Sequence, residues 1–236
     1  MRSSSLDLTC IFYVFNTLTW RHLELSLKSL VAQDFHWKQF IIYNASTSFE
    51  DGEIVDLCCK LGVTTKFSEG LTYPYNPNTP KTATADFLEI FKNIPSAGGY
   101  LVLKGDFILG PRAIQGVEKS FPHKGPGILN FSKFDTREYV DDVRLQEIAK
   151  WFTFESVLQL DPKAEPWGTG MFNLECDAIG YDGPDGVMHA YNEEARVLAS
   201  APKEEIERSW GYCSIVDNMV AAGAKRIIHP ECYAVH

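Results

Sequence analysis

The feature that most constrains this chain is an alternation packed into its first seventy residues: apolar run, amphipathic helix, apolar run, helix, apolar run. Leu8 to Phe15 (LTCIFYVF) is apolar, aromatic and β-branched and is closed by Asn16-Thr17, the mark of a buried strand. From Thr19 the period changes. Leu23, Leu27, Leu30 and Val31 recur at helical spacing, Glu24 and Lys28 form an i, i+4 pair, and Thr19 or Asn16 can cap, which predicts a helix to about Gln33. Phe40-Ile41-Ile42-Tyr43 reads as a second strand ending in the polar loop Asn44-Ala45-Ser46-Thr47-Ser48. Ile54 to Leu61 reads as a second helix and Val63 to Phe67 as a third strand. Strands joined by helices run parallel, with right-handed crossovers, and such sheets bind ligands at the carboxyl ends of their strands.

The turn-rich segment Tyr73 to Pro80 leads into a predicted helix over Thr82 to Lys92 and a fourth strand, Tyr100 to Leu103, which ends in Lys104-Gly105-Asp106. No Gly-rich dinucleotide fingerprint or Walker A loop follows the first strand. Further on, Pro111 to Lys119 reads as a helix, Gly127 to Phe131 as a strand, Val143 to Phe154 as a helix, and Gly168 to Leu174 as a strand entered through glycines. Tyr191 to Leu198 and Glu204 to Arg208 read as helical. Ser214 to Ala222 is a helix closed by Gly223, and Arg226 to Ile228 a last strand. Without an internal repeat or low-complexity linker, the 236 residues are expected to form one α/β domain, residues 1–120 making one half and 121–236 the other.

Composition narrows the function classes. Residues 1–120 carry 11 Lys and Arg against 12 Asp and Glu, whereas 121–236 carry 11 against 19, so the formal charge of −9 is concentrated in the second half. That balance counts against a nucleic-acid surface built on net charge, although a local basic groove stays open. The six Cys include no CxxC pair, which speaks against a zinc knuckle or a disulfide framework and for a reducing, cytoplasmic setting. No signal peptide is visible at Met1, and nothing approaches the roughly 18 apolar residues of a membrane span.

The order of motifs resembles the inverting nucleotide-sugar glycosyltransferases of family 2, which have the GT-A fold. Tyr13-Val14-Phe15-Asn16-Thr17 is similar to that family's first strand and "YN" turn, Leu27 to Gln33 to its "L.SLL.Q", and Tyr43-Asn44-Ala45-Ser46 to its "DNGS". In the second half, Gly168 to Phe172 with Ile179-Gly180-Tyr181-Asp182 resembles the acceptor-side pattern ending "GGFD". Trp210-Gly211-Tyr212, followed by Gly223, Pro230 and His236, resembles the closing "GYED…G…P…H". The resemblance implies a Rossmann-like, mixed, mainly parallel central sheet flanked by helices, with donor contacts in the first half and acceptor contacts in the second.

A sugar nucleotide leaves as a diphosphate, so its site must hold phosphate charge and stabilise more of it as the glycosidic bond breaks, usually with a divalent cation on oxygen and imidazole ligands. Asp106 occupies the second acidic position of the family's DxD motif, and Lys104 stands in the first. A Lys cannot ligate a metal, but its ammonium can face a diphosphate. The resemblance therefore implies Mn²⁺ or Mg²⁺ held by Asp106 and the C-terminal His236, with Lys104 putting that requirement in question. For Asp106 the bland alternative is a turn acid, and for His236 the end of a tail.

Phe15, Asn16 and Thr17 would lie under the base. Tyr43 replaces the family's base-reading acid, where it could stack while Asn44 hydrogen-bonds; equally, they are a strand-end aromatic and a turn former. Asp86 reads as a solvated helix acid or a contact to base or ribose. An inverting transfer needs a carboxylate base beside the acceptor hydroxyl. The family takes it from the "ED" after "GY", where this chain has Cys213-Ser214; Asp217, one helical turn on, is the nearest replacement, with Glu207 and Asp182 as substitutes. Trp210, with Gly211 and Tyr212, would stack on the acceptor sugar or simply join the core.

The expected function is transfer of a sugar from a nucleoside diphosphate donor, UDP-linked, to a hydroxyl of a glycan, small molecule or other compound. Two alternatives stay open: a non-catalytic sugar-nucleotide or glycan-binding module with a degenerate site, and a transferase acting on a hydroxymethylated DNA base. A nucleotidyltransferase lacks its signature, since Phe15-Asn16-Thr17-Leu18 supplies no Gly-rich basic turn.

Overall fold

A computed structural model describes residues 7–72, 82–94, 97–121, 124–135, 173–175, 189–207 and 212–235. Their order is β1 (Leu8–Val14), α1 (Trp20–Val31), β2 (Gln39–Asn44), α2 (Asp51–Lys60), a 3₁₀ turn (Val63–Lys66), β3 (Leu71–Thr72), α3 (Ala83–Asn93), β4 (Gly99–Lys104), β5 (Ile108–Leu109) and α4 (Ala113–Ser120). There follow β6 (Gly127–Asp135), β7 (Asn173–Glu175), β8 (His189–Asn192), α5 (Glu193–Arg196), α6 (Lys203–Ile206), α7 (Tyr212–Ala221) and β9 (Lys225–Val235). The strands form one mixed sheet in the order β3-β2-β1-β4-β8-β6-β9-β5, with β7 against β6. Its first half is parallel throughout, β1 pairing with both β2 and β4 and β2 with β3. Beyond β4 the sheet continues through antiparallel β8 and β6, and β9 then runs parallel to β6.

Alternation along the strands builds two cores. Leu8, Cys10, Phe12 and Val14 of β1, Phe40 and Ile42 of β2, and Leu101 and Leu103 of β4 pack against α1, α2 and α4. Ile11 and Tyr13, Ile41 and Tyr43, and Tyr100 and Val102 face the other way, against α3, α5 and α7. Strands covered on both faces read as continuous apolar runs, which is why β1, β2 and β4 were visible in the sequence.

α1 is capped by Thr19, whose hydroxyl accepts from His22 N at 3.4 Å while His22 Nδ1 accepts from Thr19 N at 3.1 Å. Asp51 and Glu53 stand in the first turn of α2, where the helix dipole favours carboxylates. Gly223, at φ 105°, ends α7 in a left-handed turn, as the sequence predicts.

Two expectations are corrected. Val63 to Phe67 is not a strand but a 3₁₀ turn, because Gly62 enters at φ 75° and its carbonyl accepts both the Thr65 amide (3.2 Å) and the Thr65 hydroxyl (2.8 Å). The local bonds win over β propensity, and β3 begins only at Leu71. Tyr191 to Leu198 is not one helix: Tyr191 and Asn192 end β8, and Asn192 caps α5 by accepting from Ala195 N at 2.9 Å. The predicted helix over 143–154 lies outside the described residues, and so do the glycines of the Gly168 to Leu174 run; Asn173–Glu175 is a strand.

Candidate functional site

Strand order reverses between β1 and β4: β2 and β3 lie on one side of β1, while the chain returns to its other side for β4. At such a switch point the loops leaving the strands diverge and open a crevice above their carboxyl ends. Here the register aligns Tyr13 with Tyr43 on one side and with Lys104 on the other. Three segments singled out in the sequence, Phe15-Asn16-Thr17, Tyr43-Asn44 and Lys104-Gly105-Asp106, therefore converge on one edge.

The loops of that edge are tied by side chains. Asn16 Oδ1 accepts from Thr47 N at 2.7 Å, Thr47 Oγ1 at 3.1 Å and Ser46 Oγ at 3.2 Å, fastening the loop after β1 to the loop after β2. Asn44 is buried, donates to Phe49 O and Asp51 Oδ1, both at 2.9 Å, and accepts from Ser46 N at 3.0 Å. It shapes its own loop, the turn-forming role open to it from sequence. Asn16 and Thr17 are exposed on the rim.

At the end of β4 the ladder extends one step, with Gly105 N donating to Tyr13 O at 3.0 Å, and the chain turns through Phe107 N donating to Lys104 O at 3.1 Å. Position 105 is tight: a Cβ there would lie 2.6 Å from Leu18 Cδ1 and 2.7 Å from Leu23 Cδ2, so both leucines would have to shift. This close approach to the start of α1 fixes Lys104 and Asp106 on either side of the turn. Lys104 is part-exposed, its Nζ 5.7 Å from the centre of the Phe107 ring. Asp106 is part-buried, with Oδ1 shut off from solvent.

Beneath the edge lies a cluster absent from the sequence-based expectation. Tyr43 OH donates to Asp86 Oδ1 at 3.0 Å and Tyr13 OH points at Asp86 Oδ2 from 3.4 Å. Asp86 is 1% exposed, so it is no solvated helix acid. The signal was present: Asp86 precedes Phe87 and lies four residues before Ile90, on the buried stripe of α3. Tyr43 is buried too, its ring tilted against Tyr13 at 5.9 Å instead of being presented to solvent. Burial first, and the Asp86 carboxylate second, push the hydroxyls of Tyr13 and Tyr43 well above the ordinary phenol range, so both stay protonated.

The acceptor-side residues are less gathered. Asp217 lies on α7 with 66% of its side chain exposed and bonds Arg226 Nη2 at 2.8 Å. Arg226 is level with Ile128 and Tyr191, and hence with Tyr100, four residues before Lys104, so the structure does not bring Asp217 to the Lys104 edge. Of its substitutes, Glu207 follows Ile206, whose carbonyl accepts from Thr82 Oγ1 at 2.5 Å at the amino end of α3, above that edge. Trp210, Gly211, Asp182 and His236 lie outside the described residues, and of Tyr212 only its place as the first residue of α7 is described. Among the described residues no group of three His, Cys, Asp or Glu could hold a metal.

No family model and no curated protein matches the chain. Among solved structures it is similar to Staphylococcus aureus TarS 1-349 in complex with UDP, at 11% identity and a TM-score of 0.57, covering 98% of this chain and 61% of that one. It also matches TarS 1-349 in complex with UDP-GlcNAc at 14% identity, over 58% of this chain and 37% of that one, with a TM-score of 0.44. The chain thus spans about three fifths of the TarS chain it matches throughout. At this identity the likeness concerns the fold, which is α/β and GT-A-like, as the motif order implies. No helix among the described residues is long and apolar enough to cross a membrane.

Proposed function

We propose that the chain is a glycosyltransferase that takes a sugar from a UDP-linked donor to an acceptor hydroxyl with inversion. The observation that carries this is the convergence of Asn16, Asn44 and Lys104-Gly105-Asp106 on one switch-point edge, on a fold shared with a protein crystallised with UDP. In this reading Phe15, Asn16 and Thr17 form the rim over the base, with Tyr43 and Asn44 holding its floor. Lys104 places a cation against the diphosphate, stabilising the charge that grows on the leaving group. Gly105 lets that turn sit close to α1.

Asp106 and His236 would be the ligands of Mn²⁺ or Mg²⁺, whose chemistry is to neutralise the departing diphosphate. The described residues by themselves do not make such a site. The base is assigned to a carboxylate that removes the acceptor proton. Glu207 is the candidate that its position beside the amino end of α3 supports, and Asp217, which follows Gly211-Tyr212 in sequence, is the alternative that the motif order implies. Asp182 with Trp210, Gly211 and Tyr212 would receive the acceptor.

A donor screen following UDP or GDP release, with Mn²⁺ and with EDTA, tests the proposal. Release from a UDP-sugar, lost in Asp106→Ala and in either Asp217→Asn or Glu207→Gln, is expected. Full activity in Asp106→Ala, or no release with any sugar nucleotide, contradicts it; binding without turnover points to the non-catalytic module instead.

A further inference from the structure

Asn130, in the middle of β6, is 0% exposed, and among the described residues neither its Oδ1 nor its Nδ2 has a hydrogen-bond partner. A carboxamide brings two donors and an acceptor with two lone pairs, and burying it unsatisfied costs about 1–3 kcal/mol. A Val or Leu at this central strand position would avoid that cost. The missing hydrogen bonds call for an ordered water or a bound ligand.

Its position says what. Leu101, Ala190 and Leu129 pair across β4, β8 and β6, so the next row is Val102, His189 and Asn130. By strand alternation this row faces the same side as Tyr13, Tyr43, Tyr100 and Val102, the face onto which Lys104 also falls, two residues on. Asn130 lies two strands across from β4, about 10 Å, and two residues down from Lys104, roughly 7 Å. His189 stands between them, 1% exposed, with a second polar side chain in the row.

We infer that Asn130 is a specificity residue for the donor sugar, reading a hydroxyl of the hexose whose diphosphate is held at Lys104. This deepens the proposed function and rests on it. A diphosphate and the hexose it carries can bridge this distance, and a hexose offers the donor-acceptor hydroxyls that a carboxamide matches. Uridine, at the β1–β2 end, lies on the far side of β4 and does not touch it.

The test is calorimetric titration of UDP and of UDP-GlcNAc into the full chain, into Asn130→Leu, which keeps the branched outline but removes the amide, and into Asn130→Thr, a strand former that supplies one hydroxyl. A lost hydrogen bond in a closed site weakens UDP-GlcNAc about tenfold or more in the Leu variant, less in the Thr variant, and leaves UDP within about twofold in both. Because the removed group is unsatisfied, Asn130→Leu is expected to melt no lower than wild type. Unchanged UDP-GlcNAc affinity in Asn130→Leu, an equal loss for UDP alone, or a lower melting temperature in both variants would each overturn the assignment, reducing Asn130 to the holder of an ordered water or of the strand. Failure of the wild-type chain to bind either compound would instead overturn the reading beneath it.

Discussion

Two polar groups are buried on one face of the same sheet, and they are completed differently. Asp86 is met by protein, its two oxygens facing the hydroxyls of Tyr43 and Tyr13, and it locks α3 under the ends of β1 and β2. Asn130, on the far side of β4, has no partner among the described residues. Both are almost fully shut from solvent, so exposure does not separate them; satisfaction does. A buried carboxylate whose hydrogen bonds are made is architecture, whereas a buried amide without them calls for an explanation, here the donor sugar proposed above.

The comparison breaks most visibly at Asp86. Replacing it with Ala removes the carboxylate that two buried hydroxyls face, and a loss of about 2–5 kcal/mol is expected from denaturant unfolding. Tyr43→Phe removes one bond to a charged acceptor and is expected to cost about 1.5–3 kcal/mol; the double variant should be far from additive. If Asp86→Ala unfolds like wild type, the clasp has no structural role. Asn130→Leu sits at the other pole, with stability kept or raised.

Of intermediate size is Gly105→Ala. The clashing atoms are ends of flexible leucines, so a cost of about 1–3 kcal/mol is expected, together with weaker nucleotide binding as the Lys104 turn shifts. The pH dependence follows from the tyrosines. Their folded pKa values are raised above the unfolded value of about 10, so the stability they contribute is complete below that pH and drains away as pH rises beyond it. An alkaline unfolding limb starting near pH 10, and flatter in Tyr43→Phe, is expected by circular dichroism. Smallest is Asp217→Asn: breaking an exposed pair with Arg226 should change stability by less than about 1 kcal/mol, leaving any loss of activity attributable to chemistry.

What was legible in the sequence follows the same division. β1, β2 and β4 are buried on both faces, and their apolar runs placed them within a residue or two, with the polar residues that end them. The sheet's carboxyl edge could thus be found from Asn16, Asn44 and Lys104-Gly105-Asp106. Val63 to Lys66 misled because β-branched residues also suit a short turn when a left-handed glycine precedes them. Asp86 misled because a charge in the first turn of a helix is usually solvated, and its partners arrive from 43 and 73 residues away. Asn130 carried no local signal: an Asn inside a strand reads as a weak spot until its neighbours across two strands are known. Asp217 follows the motif in sequence, yet Arg226 draws it down toward the level of Tyr100.

In the proposed function the switch-point edge holds a nucleoside diphosphate through Lys104. Titration of UDP into wild type and Lys104→Ala tests it most directly. Wild type is expected to bind UDP, and the variant, still folded, to bind it at least about tenfold more weakly, the loss shrinking as salt is raised. Equal affinity in the two proteins, or no UDP binding by the wild type, would contradict it.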